Sequence, residues 1–277
     1  MSENLTADYN ALFTDRAHLP RSIETLREEY ASSRPFPHLI LDNLFAQCEL
    51  DPLLSEAAAM DRDDWLRVEH DQRESFLRMR SAAALGPAGT RFVSIVHSAA
   101  FLYLLSEITG VWQLLPDPYL RGGGHALMRR DDFFNVHSDR NVAYDSGLLR
   151  RLALIVFLNR EWQPRYHGEL ELWNPHGTHC EVAIEPVFNR TVLFEVAYPN
   201  YHGVPTPLAC PRDRARQSFI VYYHTVGMEG QPGLAPHSSI FAPRLYGTRK
   251  RTLRDLAREV FPPFMRKAVR KLLRSDS

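Results

Sequence analysis

The sequence predicts a mainly β protein, a sandwich or barrel, with helices flanking it. After Pro116, short apolar segments alternate with clusters of Gly, Pro, Asn and Asp every 8–15 residues, a spacing typical of such folds. Before this region and near the C-terminus, apolar residues recur every three or four positions instead, which favours amphipathic helices. The chain has 277 residues, 44% hydrophobic and 24% charged, so it can bury a sizeable core and is not intrinsically disordered.

The segment before Pro116 is predicted to hold three helices and one strand. In the clearest helix, Val93, Val96 and Ala100 begin the helical spacing and Gly110 is a suitable C-terminal stop. The predicted helices span residues 21–31, 46–60 and 91–109, and the predicted strand spans 38–42.

The region 116–226 is predicted to consist of strands. Its segment 151–158, RLALIVFL, is apolar on both faces and should form a central, fully covered strand. Residues 61–90, 139–150 and 226–245 are expected to be variable loops. The predicted strands are 124–129, 133–137, 151–158, 168–173, 179–184, 191–196 and 216–225.

The C-terminal segment concentrates positive charge, although the 33 basic and 33 acidic residues of the whole chain balance. Residues 244–274 hold eleven Lys and Arg against two acids, a net charge of +9. Two helices broken at Pro262 and Pro263 are predicted here. We favour helices docked on the protein with a solvated basic face, and contact with an anionic membrane surface is the less favoured interpretation. No nucleic-acid partner is expected.

The whole chain is expected to form one structural domain in three parts. Residues 1–115 supply N-terminal helices and first strands, 116–226 a catalytic core, and 227–277 a basic helical extension. The three cysteines, Cys48, Cys180 and Cys210, are too few and too scattered for a disulfide framework, and the N-terminus has no apolar run. These features predict a cytoplasmic protein, and they leave its oligomeric state open.

Two histidines and one aspartate suggest a metal site. His137 and Asp139 are two positions apart in FFNVHSDRN, so on an extended chain they face the same way. His202 follows 63 residues later in YPNYHGVP, again near a strand end. Two His and one carboxylate on one face of a metal leave open positions, as in non-haem Fe(II) oxygenases. The His-x-Asp pair alone is weak, because Asp139 could cap a turn and His137 could be a core histidine.

Arg216 and Ser218 strengthen the metal interpretation. They share one face at the start of an apolar strand, 14 residues beyond His202. A guanidinium and a hydroxyl inside a barrel are costly unless they bind an anion, and a carboxylate fits the arginine fork.

In this order, the motifs resemble those of the 2-oxoglutarate and Fe(II)-dependent oxygenases, specifically the prolyl 4-hydroxylase-like branch. The resemblance runs from about residue 36 to 226. Besides the His, Asp and Arg motifs, it includes the segments RRLALIVFLNREW, HGELELW, IEPVFNRTVLFE and RQSFIVYYHT.

The resemblance implies a double-stranded β-helix, or jelly-roll, core. It also implies that His137, Asp139 and His202 are the catalytic iron ligands, that Arg216 pairs with the distal carboxylate of 2-oxoglutarate, and that Ser218 assists. The implied cofactors are Fe(2+), 2-oxoglutarate and O2, with ascorbate as a further expected reductant. The implied reaction hydroxylates a C–H bond of a prolyl, peptide or small-metabolite substrate and releases succinate and CO2.

One residue departs from the pattern of the family and leaves open which side chain contacts 2-oxoglutarate. Phe157 stands where many relatives carry a Tyr whose hydroxyl touches 2-oxoglutarate. His125, Leu127 and Arg129 share one predicted strand face, and His125 is a candidate for this contact. Desaturation or ring formation remains open as another outcome at the same iron. The alternative from a different class of function is a non-catalytic jelly-roll module that binds metal or anions and is targeted by its basic tail.

Overall fold

The structure is a computed structural model that describes residues 19, 21–70, 73–143, 146–227 and 237–243. Within these residues the strands are β1 (His38–Asp42), β2 (Trp65–His70), β3 (Glu74–Met79), β4 (Leu115–Pro116), β5 (Gly124–Met128), β6 (Phe133–Ser138), β7 (Leu149–Phe157), β8 (Leu170–Trp173), β9 (Cys180–Ile184), β10 (Arg190–Glu195), β11 (His202–Val204), β12 (Arg216–Thr225) and β13 (Ile240–Phe241). All seven strands predicted between 116 and 226 are found, as is the one at 38–42.

These strands form one curled antiparallel sheet, the mainly β jelly-roll arrangement that was predicted. Its order is β1-β10-β7-β12-β5-β3-β6-β11-β8-β9, while β13 pairs with β6, β2 with β3, and β4 with β12. Apart from the pairs β2–β3 and β8–β9, neighbouring strands are not consecutive in sequence, so residues far apart in sequence meet on one curved surface.

Strand β7 confirms the prediction of a covered central strand, because it lies between β10 and β12 and its two faces enter different cores. Leu152, Leu154 and Val156 belong to a core shared with the helices. Ala153, Ile155 and Phe157 face the other way, into the interior of the curled sheet, where they meet side chains of β8 and β10. Alternation along β7 therefore separates a helix-facing side from a barrel interior.

Four described helices cover the first of these faces: α1 (Ile23–Ser32), α2 (Gln47–Ala59), α3 (Pro87–Val96) and α4 (Ala99–Thr109). The first two match the predicted helices at 21–31 and 46–60. Buried Phe92 and Phe101 from α3 and α4 join the helix-facing core together with Phe219 of β12.

The prediction of one continuous helix over 91–109 is wrong. The helical spacing continues through the break, but the Ser98 hydroxyl accepts a hydrogen bond from the Phe101 amide and caps a new helix. The resulting bend between α3 and α4 is 48°, and Gly110 ends α4 with a φ of 73°, as expected. No single helix in the described ranges is long and apolar enough to cross a membrane, although this bent pair passes that test jointly.

Residues 61–90 contain a hairpin, β2–β3, where a variable loop was predicted. Most residues of β2 are partly or fully exposed, so the sequence lacks a clear apolar period. The hairpin joins the sheet because β3 pairs with both β5 and β6. Arg67 and Ser75 also hydrogen-bond to the buried carboxylate of Asp132, which directly precedes β6. The hairpin thus fixes the start of the strand that carries His137.

The C-terminal extension is not wholly helical as predicted for 227–277. Ile240 and Phe241 form β13, which pairs with Ser138 and His137 at the edge of β6. The two helices predicted within 244–274 lie outside the described residues.

Candidate metal centre and co-substrate pocket

His137 and His202 meet across two antiparallel strands. His137 is near the end of β6, His202 begins β11, and the two residues are direct partners in the strand pairing. Their ring centroids are 4.6 Å apart, and both side chains are buried. Phe194 lies 4.7 Å from the His202 ring and belongs to the interior core, so the pair faces the barrel interior.

Asp139 completes a compact group of possible metal ligands. Its carboxylate oxygens lie 3.3 Å from His137 Nε2 and 3.8 Å from His202 Nε2. One ligand atom from each of the three residues falls within 4.8 Å of the others, and all three residues are buried. The structure therefore brings together the three residues that the sequence nominated for iron, and they could hold a metal ion.

Backbone carbonyls orient both imidazoles. Nδ1 of His137 hydrogen-bonds to the carbonyl of Asn135 at 2.8 Å, and Nδ1 of His202 bonds to that of Asn200 at 3.2 Å. Since a carbonyl only accepts, Nδ1 carries a proton in each ring, and Nε2 is the nitrogen that faces Asp139. This outer hydrogen bond is the usual way in which proteins fix the tautomer of a metal-binding histidine.

The protonation states suit a divalent cation. Burial, followed by the nearby charge of His137, lowers the pKa of His202 to about 4, so its imidazole is neutral at pH 7. Burial alone would raise the pKa of Asp139, but the contact with His137 and positive neighbours, including Arg150, hold it well below its usual value. A metal needs neutral imidazoles and ionised carboxylates as ligands, and the neutral His202 and the ionised Asp139 meet this requirement.

One oxygen of the site lacks a partner. Asp139 Oδ2 is buried and accepts no hydrogen bond within the described part of the chain. An unpaired buried carboxylate oxygen is costly, and a bound cation would satisfy it. Two nitrogens and one hard oxygen match the donor set that non-haem Fe(II) prefers, so the residues fit this metal.

Arg216 and Ser218 lie on the interior face of β12 and are both buried. The Arg216 Nε donates to the carbonyl of Gly168 at 2.6 Å, and the guanidinium lies 4.9 Å from the centre of the Phe157 ring. Burial lowers the pKa of Arg216 to about 10, so it remains charged at pH 7. Apart from a long contact with the sulfur of Met128, its terminal nitrogens have no acceptor among the described residues.

Gly168 holds Arg216 in place and has little room for a side chain. Its φ is +94°, and a Cβ there would come within 3.1 Å of Arg216 Cδ. The Phe157 side chain offers the guanidinium an aromatic ring face and no hydroxyl. The pocket therefore presents a charged guanidinium group, held by the Gly168 carbonyl, beside the apolar ring of Phe157.

His125 does not belong to this pocket, so its selection as a co-substrate contact was wrong. On β5 it pairs with Phe219 of β12, and its ring packs on Phe219 at 4.8 Å in the helix-facing core. Ala126 and Met128, opposite Ser218 and Arg216, occupy the interior face instead. Every residue of β5 is buried, so apolar alternation gave no indication of which face is which.

Two of three aromatic residues at the site, Tyr222 and Phe241, were not singled out from the sequence. The Phe134 ring stacks on His137 at 4.0 Å, and Phe241 of β13 lies 5.7 Å from the same histidine. The Tyr222 side chain is near Asp139, whose charge acts together with burial to raise the pKa of its hydroxyl. The pair Phe133–Phe134 before the His-x-Asp motif was a usable signal, whereas Phe241 arrives only through long-range strand pairing.

Comparisons with known proteins give one family match, over part of the chain. Residues 124–224 match the family model described as the 2OG-Fe(II) oxygenase superfamily. No curated protein sequence matches the chain significantly.

Solved structures with a similar fold include a Pseudomonas putida prolyl-4-hydroxylase, 16% identical, with a TM-score of 0.53 over 74% of this chain and 100% of that one. A Phytophthora capsici prolyl 4-hydroxylase is also 16% identical, with a TM-score of 0.50 over 97% of this chain and 76% of that one. HygX from Streptomyces hygroscopicus, solved with nickel and 2-oxoglutarate, is 10% identical, with a TM-score of 0.50 over 81% and 97%. The segment that matches the 2OG-Fe(II) oxygenase superfamily model contains both histidines, the aspartate and Arg216.

Proposed function

We propose that this protein is an Fe(II)- and 2-oxoglutarate-dependent dioxygenase that hydroxylates a C–H bond of a prolyl, peptide or small-metabolite substrate and releases succinate and CO2. One observation carries the proposal. The three clustered ligand residues and the buried, unpaired Arg216 face the same barrel interior. A protein that bound only a metal ion would gain nothing from Arg216, because a buried guanidinium group is costly unless it binds an anion.

Each residue has a defined task in this proposal. His137, Asp139 and His202 would hold the metal through Nε2, a carboxylate oxygen and Nε2, respectively. Arg216, fixed by the Gly168 carbonyl, would bind the distal carboxylate of 2-oxoglutarate through its free terminal nitrogens, with Ser218 beside it on the same face. Bound Fe(II) with 2-oxoglutarate and O2 supplies an oxidant able to attack an unactivated C–H bond.

The aromatic residues around the site would keep it dry. The Phe134 and Phe194 rings pack on the two histidines and limit the access of water. Exclusion of water strengthens the interaction of Arg216 with a carboxylate and protects reactive species from side reactions.

The similar folds suggest a range of substrates without selecting one. Two of these folds belong to prolyl 4-hydroxylases. A third belongs to SnoN, an epimerase from nogalamycin biosynthesis. SnoN is 12% identical to this chain, with a TM-score of 0.50 over 82% of this chain and 98% of that one. The same architecture therefore accompanies different reactions, which supports both peptidyl and small-molecule substrates for this chain.

Succinate release tests the proposal. The full chain, incubated with Fe(II), 2-oxoglutarate and ascorbate, should form succinate, and His137→Ala, Asp139→Ala and His202→Ala should each abolish it. His179→Ala is the matched control, because this histidine is exposed on a turn and should leave turnover unchanged. Undiminished turnover in any ligand variant would remove that residue from the assignment. Wild-type protein that neither binds 2-oxoglutarate nor forms succinate would favour the non-catalytic module instead.

A further inference from the structure

A second group of cationic side chains lies in the barrel interior, away from Arg216. Arg78 of β3, Arg150 of β7 and Tyr222 of β12 converge beside Gly122. A Cβ built on Gly122 would lie 3.6 Å from Arg150 Nη2, 3.8 Å from Tyr222 Cε2 and 3.9 Å from Arg78 Nη1. The Arg150 guanidinium also stacks on the Tyr222 ring, 3.6 Å from its centre. Two guanidinium groups and a phenol thus surround one small volume.

Neither arginine forms an ion pair within the described part of the chain, although the charge of Arg150 acts on Asp139. Arg150 is buried and Arg78 is partly buried, and the Nε atoms of both are buried without a hydrogen-bond acceptor among the described residues. The hydrogen bond of the Arg150 side chain goes to the backbone carbonyl of Arg121, at 3.1 Å. Guanidinium groups withdrawn from water without an ion-pair partner are destabilising, so their retention calls for an anion that binds them.

A β-bulge turns Arg150 towards this volume. Leu152 pairs with Tyr223 but Arg150 pairs with His224, so the register shifts at Arg151. Without the shift, Arg150 would share the helix-facing side of Leu152 and Leu154. Bulges commonly redirect a side chain near an active site. The bulge places Arg150 on the same side of the sheet as Tyr222, which its stacking confirms.

The cluster adjoins the metal ligands and is separate from the Arg216 pocket. Arg150 and Tyr222 both interact electrostatically with Asp139. Arg216 lies six residues before Tyr222 on the same strand, which corresponds to roughly 20 Å along β12. One carboxylate, already needed for the metal, cannot neutralise two guanidinium groups. An anion bound between Arg78 and Arg150 would therefore lie beside the metal, on the side away from Arg216.

We propose that Arg78, Arg150 and Tyr222 form a subsite for an oxyanion of the primary substrate, a carboxylate or a phosphate monoester, and hold that substrate against the metal centre. The role in substrate binding rests on the proposed function, whereas the anion site itself does not. It implies that the substrate is an acid and not a neutral peptide segment. The two guanidinium groups would supply the charge and the hydrogen bonds, and the Tyr222 ring, on which Arg150 stacks, would form one side of the subsite.

Anion binding can be measured without knowing the substrate. The probes are inorganic phosphate and acetate, added to the full chain loaded with Ni(II) and saturating 2-oxoglutarate, with chloride balancing the ionic strength. Thermal unfolding is followed against probe concentration. We expect the wild-type midpoint to rise with one probe or both, and the apparent affinity to fall at least tenfold in Arg78→Gln and in Arg150→Gln. A response to phosphate alone would indicate a phosphate monoester, and a response to acetate would indicate a carboxylate.

Three further variants make the test decisive. Arg151→Gln removes the same charge one residue away, where the side chain lies near Glu195, and should leave the response unchanged. Arg216→Gln should also retain it. Arg150→Lys keeps a cation and should fold and bind with intermediate affinity. Absence of any response in the wild type, equal responses in Arg78→Gln and the wild type, or equal loss in Arg151→Gln, would overturn the subsite. Succinate release by the same preparations, reconstituted with Fe(II), separates this failure from a failure of the proposed function.

Discussion

His137 and His202 are directly opposite each other on β6 and β11, so a single strand pairing sets the 4.6 Å between their ring centroids. The residues are far apart in sequence, yet their relative position depends on only two backbone segments. Each ring is also tied to the carbonyl two residues before it. The two nitrogens are therefore positioned before a metal binds, and only the carboxylate of Asp139 comes from a loop.

Asp139→Asn should abolish metal binding without unfolding the protein. The substitution removes the only anionic ligand of the group but keeps its volume, and Oδ2 accepts no hydrogen bond from the residues that the structure describes. We expect Ni(II) to raise the thermal unfolding midpoint of the wild type and to leave that of the variant unchanged. Similar midpoints for the two metal-free proteins serve as the control. A normal Ni(II) response in Asp139→Asn would show that the metal is held elsewhere.

Arg216→Ala should raise the KM for 2-oxoglutarate with little change in Ni(II) affinity. Removing one partner of a buried ion pair costs about 3–5 kcal/mol, a rise in KM of roughly a hundredfold or more. Initial rates of succinate formation give the KM. The matched control is Arg214→Ala, two residues earlier, whose exposed side chain bonds to backbone carbonyls and Glu161 and should leave the KM unchanged. An unaltered KM in Arg216→Ala would place the co-substrate elsewhere.

The strands and the local His-x-Asp pair were predictable because their signals are short-range. Residues i and i+2 share a strand face whatever the rest of the fold does, so His137 and Asp139 could be paired from the sequence. Linking them to His202 required the order of motifs, since periodicity carries no information about which strands pair.

Other parts of the site depend on long-range geometry that the sequence does not encode locally. The face occupied by His125 could not be assigned, because β5 is buried on both sides. Arg150 reaches the interior only through a bulge, and Phe241 only because β13 joins the edge of β6. The break between α3 and α4 was missed for the opposite reason, since apolar periodicity continued across a local cap at Ser98.

Gly168→Ala should weaken 2-oxoglutarate binding by displacing Arg216. The added methyl would contact Arg216 Cδ, and the residue whose carbonyl fixes the guanidinium would be strained at a φ of +94°. We expect a KM for 2-oxoglutarate raised at least tenfold and an unchanged Ni(II) affinity. Gly110→Ala is the control for backbone strain alone, because its φ is +73° and no atom of the described residues lies within 4 Å of the added methyl. It should lose about 1–2 kcal/mol of stability and keep a normal KM. If both variants have the same KM, contact with Arg216 is not what Gly168 provides.

His125→Leu should make the stability of the protein less sensitive to mild acid. Burial lowers the pKa of His125 to about 4 in the folded protein, against about 6.5 when unfolded. Between these values the unfolded chain binds a proton that the folded protein does not, so stability is present above pH 6.5 and is lost as the pH falls towards 4. From pH 7 to pH 5 this histidine alone should remove about 2 kcal/mol from the free energy of unfolding. Urea denaturation at both pH values should show a smaller loss for His125→Leu than for the wild type.

The KM for 2-oxoglutarate should not change, because the side chain packs on Phe219 in the helix-facing core. An equal loss in both proteins would mean that His125 is solvated, and a raised KM would return it to the co-substrate pocket.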